Sequence, residues 1–324
     1  LIVRGHHFRL PVRTTLVVVA VAVLLGGAAI MVEGRARAGD GIPAAVAQPS
    51  VVAPVAAPAL AAGEAAGETA GETAASAAAV KAAVQAVDAL DRASPNTKFG
   101  AAVLDRTTGQ LAVGAGGATA FYSASVVKLY TVVAILHRVE TGSVTLTAAD
   151  RTNIQRALVA SDDQAMNALW ERFGGPQTVA QTISLVGLKD SKPPDDSDSG
   201  EWGETLISAR DVVAVYDYVL RSMAPSSRDM IMGALEQAQD TGADGFDQAF
   251  GLIAPPRKPD VAAKQGWMWI GSDFWLHSTG VLGADDRYVI AVLSKNPGQP
   301  SSAAARTIVT TAVSDAEAAL PGPW

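Results

Sequence analysis

The 324-residue sequence contains no cysteine. This excludes disulfides, thiolate metal sites and a lipid-carrying cysteine within it. Histidine is scarce: the four are His6, His7, His137 and His277, and none falls in an HExxH spacing. Metal chemistry is therefore poorly supplied. Basic residues are outnumbered, 25 Lys and Arg against 32 Asp and Glu, for a net charge of −7. Such a chain lacks the basic footprint that phosphate backbones require, so nucleic acid is not an expected partner. No GxGxxG opens a helix, which argues against a dinucleotide fold. Apolar residues are abundant, at 49%, so a sizeable core can be buried.

The first 38 residues read as an export segment. Arg4, Arg9 and Arg13 precede an uninterrupted apolar run from Leu16 to Val32, and an Ala36-Arg37-Ala38 tripeptide follows. A basic start, an apolar stretch and an A-x-A site make a signal peptide, cleaved after Ala38, or an uncleaved membrane anchor. Either one places the rest of the chain outside the cytoplasm, secreted or tethered at the cell envelope. Residues 39–76 hold Ala, Pro, Gly, Glu and Thr with almost nothing large, and Gly-Glu-Thr recurs at 67–69 and 71–73. Such a segment cannot bury enough apolar surface to offset its ordering entropy, and it reads as a disordered tether. The folded unit is expected from residue 77 to residue 324.

Within that unit, Val80, Val84, Val87 and Leu90 recur at helical spacing. Residues 98–104 and 110–114 alternate as strands around a turn-rich loop. From Ser125 to Val139 the chain is apolar on nearly every face, the mark of a helix at the centre of a protein. Helices are expected over 148–160, 162–173, 176–186, 208–223 and 226–239, with Ser208 as an N-cap and Asp211 three residues later. Strands near 261–269, 273–282 and 287–294 and a closing helix over 301–319 complete the order. Runs of strands separated by a run of helices point to an α+β fold with an antiparallel sheet.

Three motifs follow in order. Ser125-Val126-Val127-Lys128 places a hydroxyl and an amine on one helix face. A serine hydroxyl needs a base beside it to attack. An apolar helix with a second cation nearby lowers a lysine amine toward that task. Ser161-Asp162-Asp163 lies at a junction of helical segments, where the Ser161 hydroxyl can relay a proton. Lys264-Gln265-Gly266 lies on a strand: Lys264 supplies the second cation, and Gly266 allows close approach. The N–H groups of Ser125 and Trp267 would form an oxyanion hole.

These residues resemble the class A β-lactamase and penicillin-binding-protein superfamily, whose triad is S-x-x-K, S-D-N and K-T-G. The resemblance rests on FYSASVVKLYTVVAILHRVETG, ASDDQAMNALWERFGG and AAKQGWM, and it spans residues 77–324. It implies a five-stranded antiparallel sheet flanked by helices, with a reduced all-helical subdomain, since Ser125 and Ser161 lie closer together than in class A enzymes. It implies Ser125 as the nucleophile acylated by a β-lactam or a D-Ala-D-Ala peptide, Lys128 and Ser161 as proton carriers, and Lys264 as the carboxylate ligand. Asp163, Gln265, Gly266 and Trp267 would line the substrate. No metal or organic cofactor is implied, and the unit is expected to be a monomer.

The sequence also departs from the pattern. Asp163 replaces the asparagine, and Gln265 replaces the threonine. The Glu-x-x-x-Asn of the deacylating loop is missing: residues 187–206 hold no asparagine, leaving Glu201 and Glu204 as candidate bases. Acylation is thus better supported than hydrolysis of the acyl-enzyme. A catalytically silent module that binds cell wall or an envelope protein is the alternative reading. His277, on the strand beside Lys264, reads more readily as a packed histidine than as a cleft residue, and Trp267, Trp269 and Trp275 read as core.

Overall fold

The computed structural model describes residues 61–195 and 200–322. The export segment expected over 1–38 and the first part of the tether lie outside them. Helix α1 (Ala61–Ala93) starts well before residue 77. The tether assignment is therefore corrected at its end: residues 61–76 are helical, and the Ser76 hydroxyl is buried and donates to Asp105 at 2.7 Å. Alanine carries this extension. Its helix propensity is the highest of any residue, and that outweighs the poverty of large apolar side chains on which the disorder reading rested.

Five strands form one antiparallel sheet: β1 (Lys98–Asp105), β2 (Gln110–Val113), β5 (Val261–Ile270), β6 (Asp273–Leu282) and β7 (Tyr288–Asn296), in the order β2-β1-β7-β6-β5. Helices cover both faces. On one face α1 and the closing helix α8 (Ser302–Ala318) pack Val80, Val84, Val87, Val309 and Val313 against Phe99, Ala101, Val103 and Ile290. Each fully buried valine contributes about 1.5–3 kcal/mol. The other face carries α2 (Val127–Glu140), α3 (Ala148–Val159), α4 (Asp163–Phe173), α5 (Pro176–Val186), α6 (Ala209–Ser222) and α7 (Pro225–Glu236). Helix α2 is buried without a break from Val127 to Leu136, as its all-round apolar sequence predicts.

A second, two-stranded ribbon pairs β3 (Phe121–Tyr122) with β4 (Leu206–Ile207). It ties the entrance of α2 to the 200–205 loop. The region leading into that loop is held by Asp211, whose buried carboxylate accepts from the backbone N–H of Lys189, Asp190 and Ser191 at 3.1, 2.8 and 2.7 Å. Ser208 caps α6 through Asp211 N–H, as its position predicts. The carboxylate of Asp211, however, gathers the preceding turn.

Candidate active site

The residues Ala124–Val126 form a 3-10 turn leading into α2. Ser123 anchors this turn from below: its N–H donates to Thr205 O at 2.8 Å, and its hydroxyl reaches Gly203 O at 3.2 Å. Ala124 has φ +46° and Ser161 has φ +55°. Both are non-glycine residues in the left-handed region, at a cost of order 1–3 kcal/mol each. The two strained residues flank the same amine.

That amine is Lys128, 0% exposed. Its Nζ lies 2.8 Å from Ser125 Oγ, 2.5 Å from Ser161 O and 2.7 Å from Asp163 Oδ1. Ser161 Oγ is a longer neighbour at 3.3 Å. Three close acceptors match the three protons of an ammonium. Burial holds the Lys128 amine below the usual lysine value, and the charge and hydrogen bond of Asp163 work against that lowering. Lys264, 1% exposed, sits behind, with its Nζ 2.8 Å from Ser161 Oγ and 2.8 Å from Gln265 O. Burial first, and then the charge of Lys128, drive the Lys264 amine well below its ordinary value. Ser125, Lys128, Ser161 and Lys264 thus form one chain of polar contacts, assembled from the start of α2, the turn before α4, and β5.

The substrate-lining residues expected from the sequence divide. Gly266 is where the strand comes closest: a Cβ there would lie 3.0 Å from Ser123 O and 3.1 Å from Val126 Cγ2. Trp267 lines the cleft, although the sequence pattern put its ring in the core. Its ring stacks on Phe246 at 4.7 Å, and its Nε1 donates to Asp244 at 2.8 Å. Gln265 turns away from the cleft: its buried amide donates to Phe250 O at 2.5 Å. Its alternation with Lys264 and Gly266 along β5 puts its side chain on the opposite face. Asp163, expected at the substrate, spends one oxygen on Lys128, while its side chain remains 60% exposed.

In the 200–205 loop, Glu201 lines the cleft and Glu204 lies on the 3-10 turn Trp202–Glu204. Between them Trp202 covers the base: its ring lies 4.8 Å from Lys128 Nζ, and its Nε1 donates to Asn167 at 2.8 Å. Trp202, Asn167 and Asp244 were not singled out from sequence. Trp202 carries the one available signal, a bulky aromatic in an otherwise polar loop. His277 lies outside the cleft. It is fully buried, with its Nδ1 accepting from Ser294 N–H at 3.2 Å and its Nε2 2.7 Å from Tyr122 O. This pairing sets the Nε2–H tautomer, and burial pushes its pKa down to about 4. The ring supports the β3–β4 ribbon.

The cleft has a volume of about 470 Å³, and Ser125 opens onto it. A five-stranded antiparallel sheet between helical layers, with this cleft at its edge strand, is the β-lactamase fold. The model of the beta-lactamase enzyme family matches residues 79–152 and 150–316, and the chain belongs to that family. The "putative lipoprotein LppW" of Mycobacterium tuberculosis is 36% identical over 227 residues, 69% of this chain and 70% of the relative. Among solved structures, a β-lactamase from Chitinophaga pinensis superposes with TM-score 0.60 at 14% identity, covering 74% of this chain and 99% of that one. A PBP-A variant, solved as an acyl-enzyme complex with penicillin G, superposes with TM-score 0.57 at 19% identity, covering 73% and 96%. At these identities the superpositions establish the fold alone.

Proposed function

We propose that the chain is an extracytoplasmic serine acyl-transfer enzyme that forms an acyl-enzyme on Ser125 and releases it slowly. The observation that carries this reading is the 2.8 Å contact between Lys128 Nζ and Ser125 Oγ at the floor of a cleft. In its neutral form Lys128 takes the Ser125 proton as the hydroxyl attacks the acyl carbon. The oxyanion is held by the N–H groups of Ser125 and Trp267. The proton passes from Lys128 through Ser161 to the leaving group, with Lys264 keeping the Ser161 hydroxyl in line. The acyl donors suggested by the family are β-lactams and D-Ala-D-Ala-type peptides of peptidoglycan. Envelope localisation is supported by the lipoprotein description of LppW and by the basic-apolar N-terminal pattern.

Slow release follows from the loop. Trp202 occupies the space above Lys128, and the loop offers Glu201 at the cleft wall, without an asparagine partner, to activate water. The test is mass spectrometry after incubation with penicillin G and, separately, with p-nitrophenyl acetate. An adduct on the Ser125 peptide, absent from Ser125→Ala, is expected. No adduct with either reagent at any concentration would leave the silent binding module as the better account. That module is the reading favoured by Asp163 and Gln265 standing where the family has asparagine and threonine.

A further inference from the structure

We infer that the cleft selects acyl donors carrying a positive charge near the scissile carbonyl and disfavours those carrying a carboxylate there, because Asp163, Glu201 and Asp244 line it while the donors beneath it are committed inward. The inference rests on the reading of Ser125 as nucleophile and narrows its substrate class.

The argument is one of supply. An anionic group requires donors or cations facing it. Among the described residues that line the cleft, none is lysine, arginine or histidine, and three are carboxylates. The two nearby amines do not serve an incoming anion. Lys128 Nζ is engaged with Ser125, Ser161 and Asp163. Lys264 Nζ is engaged with Ser161 Oγ and Gln265 O, below the surface. The Gln265 amide, next along the strand, donates to Phe250 O on the far side.

The acceptors, in contrast, are presented. Asp163 satisfies Lys128 with one oxygen and is mostly open to solvent. Asp244 is fixed at the rim by Trp267 Nε1. Neither Asp244 nor Glu201 forms an ion pair among the described residues, so Lys128 offsets only one of the three charges. Trp202 and Trp267 add aromatic walls, which favour cations over anions. A carboxylate on the substrate would sit among like charges with no donor aimed at it.

Three p-nitrophenyl esters of similar size test this on the full chain: 4-(trimethylammonio)butyrate, its neutral isostere with carbon in place of nitrogen, and the mono-ester of adipate. In each reaction Ser125 Oγ bonds to the acyl carbon, p-nitrophenolate leaves, and the hydroxyl proton passes to neutral Lys128. The initial p-nitrophenol burst is read against Ser125→Ala as the background. Acylation of the cationic ester about tenfold faster than the anionic one is expected at low salt, with the neutral ester between them. The ratio should shrink at high ionic strength, where the screening length falls below about 10 Å. It should also shrink in Asp244→Asn, and because it is a ratio at fixed pH, a general change in nucleophile strength cancels. Equal rates, or a faster anionic ester, overturn the inference while leaving Ser125 as nucleophile. The absence of a Ser125-dependent burst with all three esters overturns the nucleophile reading, and the inference with it.

Discussion

Replacing Asp163 with asparagine keeps the side-chain shape and restores the residue of the family motif, while removing a negative charge 2.7 Å from Lys128 Nζ. The reactive form of Lys128 is the neutral amine, so acylation rises with pH as the amine loses its proton. Burial lowers the pH at which that happens, and Asp163 raises it. A hydrogen bond to a charged group is worth about 1.5–3 kcal/mol. The 60% exposure of Asp163 places this pair at the lower end of that range, since water screens it. About 1.4 kcal/mol is a factor of ten. Asp163→Asn should therefore acylate about tenfold faster than the native protein on the rising part of the pH profile, and the two rates should converge above it. Burst kinetics with the neutral p-nitrophenyl ester between pH 5 and 10 would show the rising limb displaced to lower pH. If Asp163 acts on substrate instead, the rate changes by one factor at every pH and the limb stays where it was. That result, or a limb displaced upward, would refute the reasoning.

Three further outcomes are expected. Gly266→Ala should force β5 away from the Ser123 carbonyl and lower acylation, with a stability loss of about 1–3 kcal/mol in denaturant unfolding. Asp211→Ala should strand the 189–191 amides that its carboxylate gathers and cost about 2–4 kcal/mol, read as a lower unfolding midpoint by circular dichroism. His277 is held neutral in the folded chain, so its contribution is fully present above its ordinary value of 6.5 and is lost as pH falls toward about 4. Over that window native stability should decline by up to about 3 kcal/mol, and His277→Gln should show a shallower decline.

Much of this molecule is written in periodicity. The unbroken apolar stretch after Ser125 predicts a central helix, and α2 is buried through ten successive residues. The strand patterns before and after the helical block give the five strands of the sheet, because alternation and turn chemistry act locally. The β3–β4 ribbon was invisible for the opposite reason. Each of its strands has two residues, too few for any pattern, and it exists because Ser123 and Thr205 meet across the fold. The start of α1 was misplaced because low hydrophobicity and high alanine content argue in opposite directions.

In the candidate site, motif spacing predicted that Ser125, Lys128, Ser161 and Lys264 should meet, and the chain brings them within hydrogen-bonding distance. Directions of side chains were not legible. Gln265 turns inward to a carbonyl that is distant in sequence. Asp163 reaches Lys128, a partner 35 residues away, when its position at the first turn of α4 already explained an acid through the helix dipole. Trp202 over Lys128 and Asp244 on Trp267 depend on the packing of two loops against the sheet edge, which no local pattern encodes.

The central claim is that the Lys128 amine is the base for the Ser125 hydroxyl. The most direct measurement is the burst rate constant of Lys128→Met, a substitution that keeps the buried stem and removes the amine, with circular dichroism establishing that it is folded. The account predicts that the native chain releases one equivalent of p-nitrophenol in the burst and that Lys128→Met does so about 10²–10⁴-fold more slowly. A folded Lys128→Met protein acylating at the native rate would contradict it.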